Sequence, residues 1–549
     1  EVGCCLLATF GLMGWFGVPV SLTSGVLPLV LVSLCLAEEI HVFTHHQNLL
    51  GAQNLLGRAA GEPKNETVLR SFRDMLPPIL VTSLTTGFGF LSFLTSPIAP
   101  IRQFGAFAAL GTLYGLCYSL TATPAALTLL PAEALRRRGE RRSGGGDRLL
   151  RPFLAAARRP RRTLIATIAV AAVLSLGIKD LFVQDSWIEG FAPRSAFRRD
   201  TERVNAQFLG THSLLVHLAV TGAGTPPEGD GRQGWLLDPA LLEEIGRFEE
   251  HLRGRPEVGG VLGPASHVST IAYLWHARQA GSRAIPEDAL KVARVYRYFD
   301  IVRGKHRRRE VVNDGLDRAL VNVFLKSANY VETQRLIDDL RAWDGFRSHR
   351  SHRVELAVAG DVAVSQAMIP AIVRSQVSSL LWALAGAFLT LVVLLRSLRT
   401  AAVAILPAAL AVASTFGVMG WLQIPLGVAT SMFCAITLGV GVDYAIHFMA
   451  AVQRARGTEN PTLGALREAG PPILTDMAVI GVSFAWMTLS QVPSNARLGV
   501  LVALALGLAC TFTLLGLGSA WRPDRAFAES PRDARPARPR PEVLTGEPL

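Results

Sequence analysis

The chain has 549 residues, half of them hydrophobic, with 18% Asp, Glu, Lys or Arg and a formal net charge of +12. A charged fraction below the roughly 25% usual in soluble domains, with a positive mean hydropathy, excludes an ordinary soluble protein. The net charge does not point to nucleic acid, because many arginines sit in one short loop and the C-terminal tail, as membrane topology demands. All six cysteines (Cys4, Cys5, Cys35, Cys117, Cys434, Cys510) lie in apolar segments and read as small buried hydrophobes. None falls in the polar region 183–374, so neither a disulfide framework nor a zinc site is expected there.

The chain opens at Glu1 with no signal peptide and no initiator Met, and enters an apolar run almost at once. We therefore expect further sequence before it. Ten apolar runs read as membrane spans, at roughly 2–18, 22–43, 76–96, 102–130, 163–182, 375–396, 399–421, 425–451, 472–490 and 496–520. Gly and Pro are frequent within them, as membrane helices allow. The loop 131–162 holds eleven Arg against three acidic residues, which predicts a cytoplasmic position. Alternation then puts 44–75, 397–398 and 452–471 on the cytoplasmic side and 183–374 outside. The cluster 136–142 reads as a topology determinant and a contact for anionic lipid.

Region 183–374 is too polar for lipid and large enough for a domain. Strands are predicted at 213–220, 258–262, 319–325 and 353–359. Helices are predicted at 239–252, 269–279, 287–299 and 331–343. The alternation predicts an α/β domain of ferredoxin-like character. The tail 522–549, rich in Pro, Arg and Glu, is expected to be disordered.

One charge stands out. Between Arg399 and Asp443 no residue is charged, and Asp443 precedes Arg454, the next basic residue, by eleven positions. At helical rise that is about 16 Å, roughly half of a ~30 Å hydrocarbon core. A carboxylate at that depth costs several kcal/mol unless paired, hydrated or neutralised, and marks a functional site by default.

The two halves repeat each other. Gly11-Leu-Met-Gly-Trp-Phe-Gly-Val-Pro19 matches Gly417-Val-Met-Gly-Trp-Leu-Gln-Ile-Pro425, and Pro77-Pro-Ile-Leu80 matches Pro471-Pro-Ile-Leu474. The register places Ile40-His41 on Ile446-His447. It puts Asp443 on Ala37, with Glu38 and Glu39 one and two residues later. Duplicated bundles with polar positions at mid-depth are common in transporters.

Gly439-Val-Gly-Val-Asp-Tyr-Ala-Ile-His447 closely resembles the tenth-helix signature of the resistance–nodulation–division (RND) superfamily, most nearly its MMPL branch. That branch includes exporters of hopanoids and complex lipids; Patched-like and sterol-sensing proteins are more distant relatives. Gly360-Asp-Val, Gln376-Val-Ser-Ser and Leu395-Arg-Ser-Leu-Arg399 resemble the eighth helix and its flanks. Pro471-Pro-Ile-Leu474 resembles the start of the eleventh, and Asp185-Ser-Trp-Ile-Glu…Pro193 the start of the second periplasmic domain. The likeness covers residues 1–521. It implies a polytopic α-helical membrane protein of two pseudo-repeat halves, ten of twelve helices visible, with one α/β ferredoxin-like periplasmic domain. On that map 1–131 holds helices 3–6 and 132–162 is a cytoplasmic linker. Segment 163–182 is helix 7, 183–374 the periplasmic domain, 375–521 helices 8–12, and 522–549 a cytoplasmic tail.

The resemblance also implies a mechanism in which inward proton flow drives the periplasmic domain through binding and release states. Asp443 and Tyr444 match the Asp-Tyr relay pair of the tenth helix. The fourth-helix pair is absent as such, with Glu38 and Glu39 in its region. The plainer alternatives are an interhelical hydrogen bond for Asp443 and packing with a satisfied hydroxyl for Tyr444. Glu38 and Glu39 point about 100° apart on a helix, so one of them should face the bundle centre, and the family's position favours Glu38. His447 lies at i+4 from Asp443 and His41 at i+3 from Glu38, either as relay groups or as structural histidines. Glu38-Xaa-Xaa-His41 has the form of a di-iron ligand pair, but the other half lacks its counterpart, so no metal is expected. His45 and His46 read as interfacial. Asp476 is a further relay candidate, the alternative being a helix-N-terminal acid stabilised by the dipole. Gly439-Val-Gly-Val lacks the strand and third glycine of a dinucleotide loop and reads as a close-packing device.

The expected function is proton-driven export of a lipid or other hydrophobic substrate (hopanoid, sterol, fatty-acyl lipid or drug) from the inner membrane, by a non-enzyme. Protons are the coupling ion and no other cofactor is expected. Membrane lipids, a homo-oligomer and a periplasmic accessory protein are the implied partners, and nucleic acid is not. The alternative is a lipid- or sterol-binding sensor without transport. A protein-export accessory of the same superfamily usually has a smaller second periplasmic region. An intramembrane aspartyl protease using Asp443 and Asp476 lacks the needed Gly-Xaa-Gly-Asp, because Val442 intervenes.

Overall fold

The computed structural model describes residues 1–55, 64–129, 143–184, 191, 194–222, 224–275, 283–327, 329–347, 352–455 and 460–520. The Arg cluster 136–142, most of segment 185–193 and the tail 522–549 lie outside them. Among the described residues, nine helices are long and apolar enough to cross a membrane, and a shorter apolar helix precedes them.

The first half comprises α1 (Val2–Trp15), α2 (Leu27–Leu55), α3 (Lys64–Leu91) and α4 (Ala99–Leu129). In the first expected span, 2–18, α1 ends at Trp15, before Gly17, whose φ of +64° turns the chain. An amphipathic helix, α5 (Ser143–Ala157), follows and buries Leu150 against Gly470. The second half comprises α6 (Pro160–Ser175), then, after the extramembrane domain, α12 (Asp361–Leu395), α13 (Leu398–Trp421), α14 (Phe433–Arg454), α15 (Pro461–Ala485) and α16 (Pro493–Phe512).

Between α6 and α12 lie α7 (Ala196–Gln207), β1 (His212–Gly222), α8 (Pro239–Arg253), β2 (Val258–Leu262), α9 (Pro264–Trp275), α10 (Ala289–Arg303), β3 (Arg318–Leu325), α11 (Tyr330–Ala342) and β4 (His352–Ala359). The sheet order is β2-β3-β1-β4 with every neighbouring pair antiparallel. The pair joined by α8 (β1 and β2) and the pair joined by α11 (β3 and β4) are each split by a third strand, the arrangement of a ferredoxin-like sheet, while β2 and β3, joined through α9 and α10, lie side by side. One sheet face is apolar because alternate residues point to it: Leu214, Val216, Leu218 and Val220 on β1, Ala319, Val321, Val323 and Leu325 on β3. Leu241, Ile245 and Phe248 of α8 and Leu336 and Leu340 of α11 share that core.

The domain is tied stiffly to the bundle. A single residue, Gly360, separates β4 from the 35-residue α12. Its φ is +95°, and a Cβ there would lie 2.9 Å from the Ser213 carbonyl, so glycine suits the corner on both counts. Asp361 Oδ1 then accepts from the Ser213 amide at 3.2 Å, fastening the start of α12 to β1. Further along, α12 packs on α3, and Ser375 and Ser378 hydrogen-bond Ser96 (2.7 Å) and Thr95 (3.0 Å) beyond the end of α3.

Candidate functional site

Helix α14 is the hub of the bundle. It packs on α3, α12, α13, α15 and α16, and nearly all of its residues are buried. Small residues permit this. A Cβ on Gly89 of α3 would lie 3.2 Å from the Ala435 carbonyl, and one on Gly439 would lie 3.2 Å from the Thr86 Cα. The seam between the halves is thus a near-contact of backbones, as expected from the glycines of 439–442.

Asp443 sits on α14 at this seam. Its Oδ1 lies 3.5 Å from the Thr85 hydroxyl, which is already committed to the carbonyls of Val81 and Thr82 at 2.9 Å. The contact is at the limit of a hydrogen bond. Asp443 is within electrostatic range of Asp476 on α15 and Glu38 on α2. Tyr444 is fully buried, and its hydroxyl has no hydrogen-bond partner among the described residues, so it neither donates to a carboxylate nor packs with a satisfied hydroxyl.

Asp476 is 2% exposed, with Oδ1 unpartnered among the described residues. The dipole alternative does not apply: α15 starts at Pro461 and runs through Pro471 and Pro472, which puts Asp476 in its interior. No cation pairs with Asp443, Asp476, Glu38 or Glu39 among the described residues.

The first half treats its acids differently. Glu38 accepts from Ser83 at 2.5 Å and from Ser119 at 2.9 Å. Glu39 accepts from Thr123 at 2.5 Å, with Ser119 at 3.5 Å. Ser119 also lies 3.2 Å from a carboxylate oxygen of Glu1. Both glutamates therefore find hydroxyl partners; the split between an inward and an outward acid does not describe them. Ser83, Ser119 and Thr123 were not singled out from the sequence.

His41 and His447, matched by the repeat register, meet across the seam. Their rings stack with centroids 3.7 Å apart and planes 3° from parallel, and both are buried. Beside them is a cavity of about 20 Å³ bordered by Thr44, His45, Met75 and Pro472, room for about one water. Arg454 and Glu468, an ion pair at 2.8 Å, close its far side. His45 is 3.5 Å from Asp74, and His46 is 1% exposed, packed inside the protein.

The sequence-derived acids and histidines thus converge where α2 and α3 meet α14 and α15. The arrangement gathers titratable carboxylates and imidazoles at one seam of the bundle.

Comparison with known proteins places this geometry. Residues 301–538 match the MMPL family model and residues 2–129 match the Patched SSD model. The chain is 24% identical over 322 residues to the membrane protein MJ1562 of Methanocaldococcus jannaschii, covering 57% of this chain and 77% of that protein. It is 23% identical over 478 residues to the hopanoid transporter HpnN of Rhodopseudomonas palustris, covering 78% of this chain and 54% of that one. The cryo-EM structure of the hedgehog release protein Disp from the water bear Hypsibius dujardini superposes with a TM-score of 0.58 at 17% identity, over 90% of this chain and 63% of that chain. The chain therefore spans about half the length of the hopanoid transporter it matches.

Proposed function

We propose, from the premise that this chain is a relative of the RND/MMPL-type lipid transporters, that it exports a lipid or other hydrophobic molecule from the inner membrane under the proton-motive force. One observation carries the reading: half-buried Asp443, in electrostatic range of buried Asp476 and of Glu38, stands with them at the seam of the repeat without a cationic partner among the described residues. Carboxylates in low dielectric are costly when charged and are kept where they load and release a proton. A proton arriving from the periplasmic side would neutralise Asp443. His41, His447 and the small cavity beside them offer the way to Arg454, Glu468 and the cytoplasm. The change of charge would alter how α14 packs on α3. Helix α12, packed on α3 and fused to β4 through Gly360, would carry that change to the periplasmic domain.

The test is reconstitution of the full-length protein with an imposed proton gradient, reading efflux of lipids identified by mass spectrometry of the purified sample. Gradient-dependent efflux that Asp443→Asn removes supports the reading. Full gradient-driven efflux by Asp443→Asn overturns the relay.

A second reading, a lipid- or sterol-binding sensor, is favoured by the first half alone. Residues 2–129 match the Patched SSD model, and there both glutamates are held by hydroxyls. Lipid binding without gradient-driven efflux would select it.

A further inference from the structure

The α/β domain holds an open cleft of about 1440 Å³ between β2, α9 and α10. Ordinary small-molecule sites measure roughly 300–1,000 Å³, so this one suits a longer body. Its walls carry apolar surface that a closed domain would bury: Leu262, Leu274, Tyr298 and Val302 are 43%, 48%, 41% and 57% exposed. At its margin Trp275 stacks on Tyr298 with centroids 5.9 Å apart, extending that surface. Exposed apolar side chains lining a concave cleft suit the body of a hydrophobic ligand.

The charges of the cleft sort into spent and unspent. Arg253 is held by Glu249 and Glu250, and Arg307 by Glu310. Glu249 is 1% exposed and turns its carboxylate to the amides of Ala265 (3.0 Å) and Ser266 (3.1 Å), so it presents little negative charge to the opening. Arg283 and Arg303 have no carboxylate partner among the described residues. Arg283 reaches only the Thr270 hydroxyl, at 3.5 Å. Two uncommitted guanidiniums beside an apolar wall match a molecule with a long hydrophobic body and one acidic end.

We propose that this cleft binds an anionic amphiphile, with its body on Leu262, Leu274, Tyr298 and Val302 and its acidic head on Arg283 and Arg303. The inference rests on the lipid-export reading for the source of the ligand and narrows the substrate class to lipids bearing a carboxylate or phosphate. A neutral polycyclic lipid would leave both arginines idle.

The experiment uses the full chain and two photoreactive probes, a diazirine fatty acid and the matching fatty alcohol, with labelled peptides mapped by mass spectrometry. The acid should label peptides within 258–303, and the alcohol much less. The double variant Arg283→Gln/Arg303→Gln, two exposed positions, should cut acid labelling about tenfold or more and leave alcohol labelling unchanged. Equal labelling by acid and alcohol, indifference to the double variant, or a cleft cross-linked instead to a second copy of the chain would each overturn the proposal. The two readings fail separately. Proton-driven efflux without cleft labelling sinks the cleft proposal alone. Charge-selective cleft labelling in a protein that shows no driven efflux sinks the export reading alone.

Discussion

In the first half of the bundle Glu38 takes hydrogen bonds from Ser83 and Ser119, and Glu39 from Thr123. In the second half Asp443 has the Thr85 hydroxyl at 3.5 Å and that of Thr86 nearby, neither a well-formed hydrogen bond, and Asp476 leaves an oxygen bare. The same duplicated frame thus holds satisfied acids on one side and under-satisfied acids on the other. A buried polar group without partners costs about 1–3 kcal/mol, more if charged, whereas a hydroxyl-bonded one is anchored. On the proposed function, the under-satisfied acids of the second half are the ones that would exchange a proton, and the hydroxyl-bonded acids of the first half are held in place.

The sharpest way to break this comparison is to neutralise each side in turn. Asp443→Asn should bring gradient-driven efflux to background in proteoliposomes, while Glu38→Gln should leave a measurable rate. Equal severity would mean that the halves share the work and that the hydrogen-bond difference is incidental.

The histidine stack tests whether the halves communicate by proton or by packing. Replacing His41 and His447 together by Phe keeps two flat rings at the seam and removes every ring nitrogen. An intermediate loss of driven efflux is expected, with the melting temperature in detergent close to that of the unaltered protein. A retained rate would make the pair a structural contact only.

Gly439→Leu addresses the seam itself. Even a Cβ there meets the Thr86 backbone at 3.2 Å, so a branched side chain must push α3 from α14. Overpacking of this kind costs about 1–3 kcal/mol, and a lowered melting temperature of the purified protein is the readout. An unchanged melting temperature would show that the halves are not held by this contact.

How legible this was depended on the kind of signal. Spans could be read because charges are sparse, and the repeat because Gly-Xaa-Met-Gly-Trp occurs at both Gly11 and Gly417. The repeat register alone aligned His41 with His447, which the fold then stacks. The two prolines before Asp476 suggest a helix start, which is the alternative reading of that acid. Here α15 runs through both, as membrane helices can when neighbours re-satisfy the backbone. The hydroxyls around Glu38 were not legible at all. Serines and threonines are scattered through these apolar helices, and many, such as Thr9 and Thr112, merely bond a carbonyl one turn back. Nothing in the pattern distinguishes those from Ser83 and Ser119, which reach across to another helix.

Ser119 offers the mildest and most selective test of the comparison. It is fully buried and touches Glu1, Glu38 and Glu39 at once. Ser119→Ala removes one donor, but Glu38 keeps Ser83 and Glu39 keeps Thr123. The loss should therefore be about 1 kcal/mol of stability, the net worth of one hydrogen bond, seen as a small drop in melting temperature. Driven efflux should change little, because anchoring survives through the remaining hydroxyls. If Ser119→Ala instead stops efflux as Asp443→Asn is expected to, the first-half acids are poised rather than held. The exchanging site would then lie on the Glu38 side of the seam.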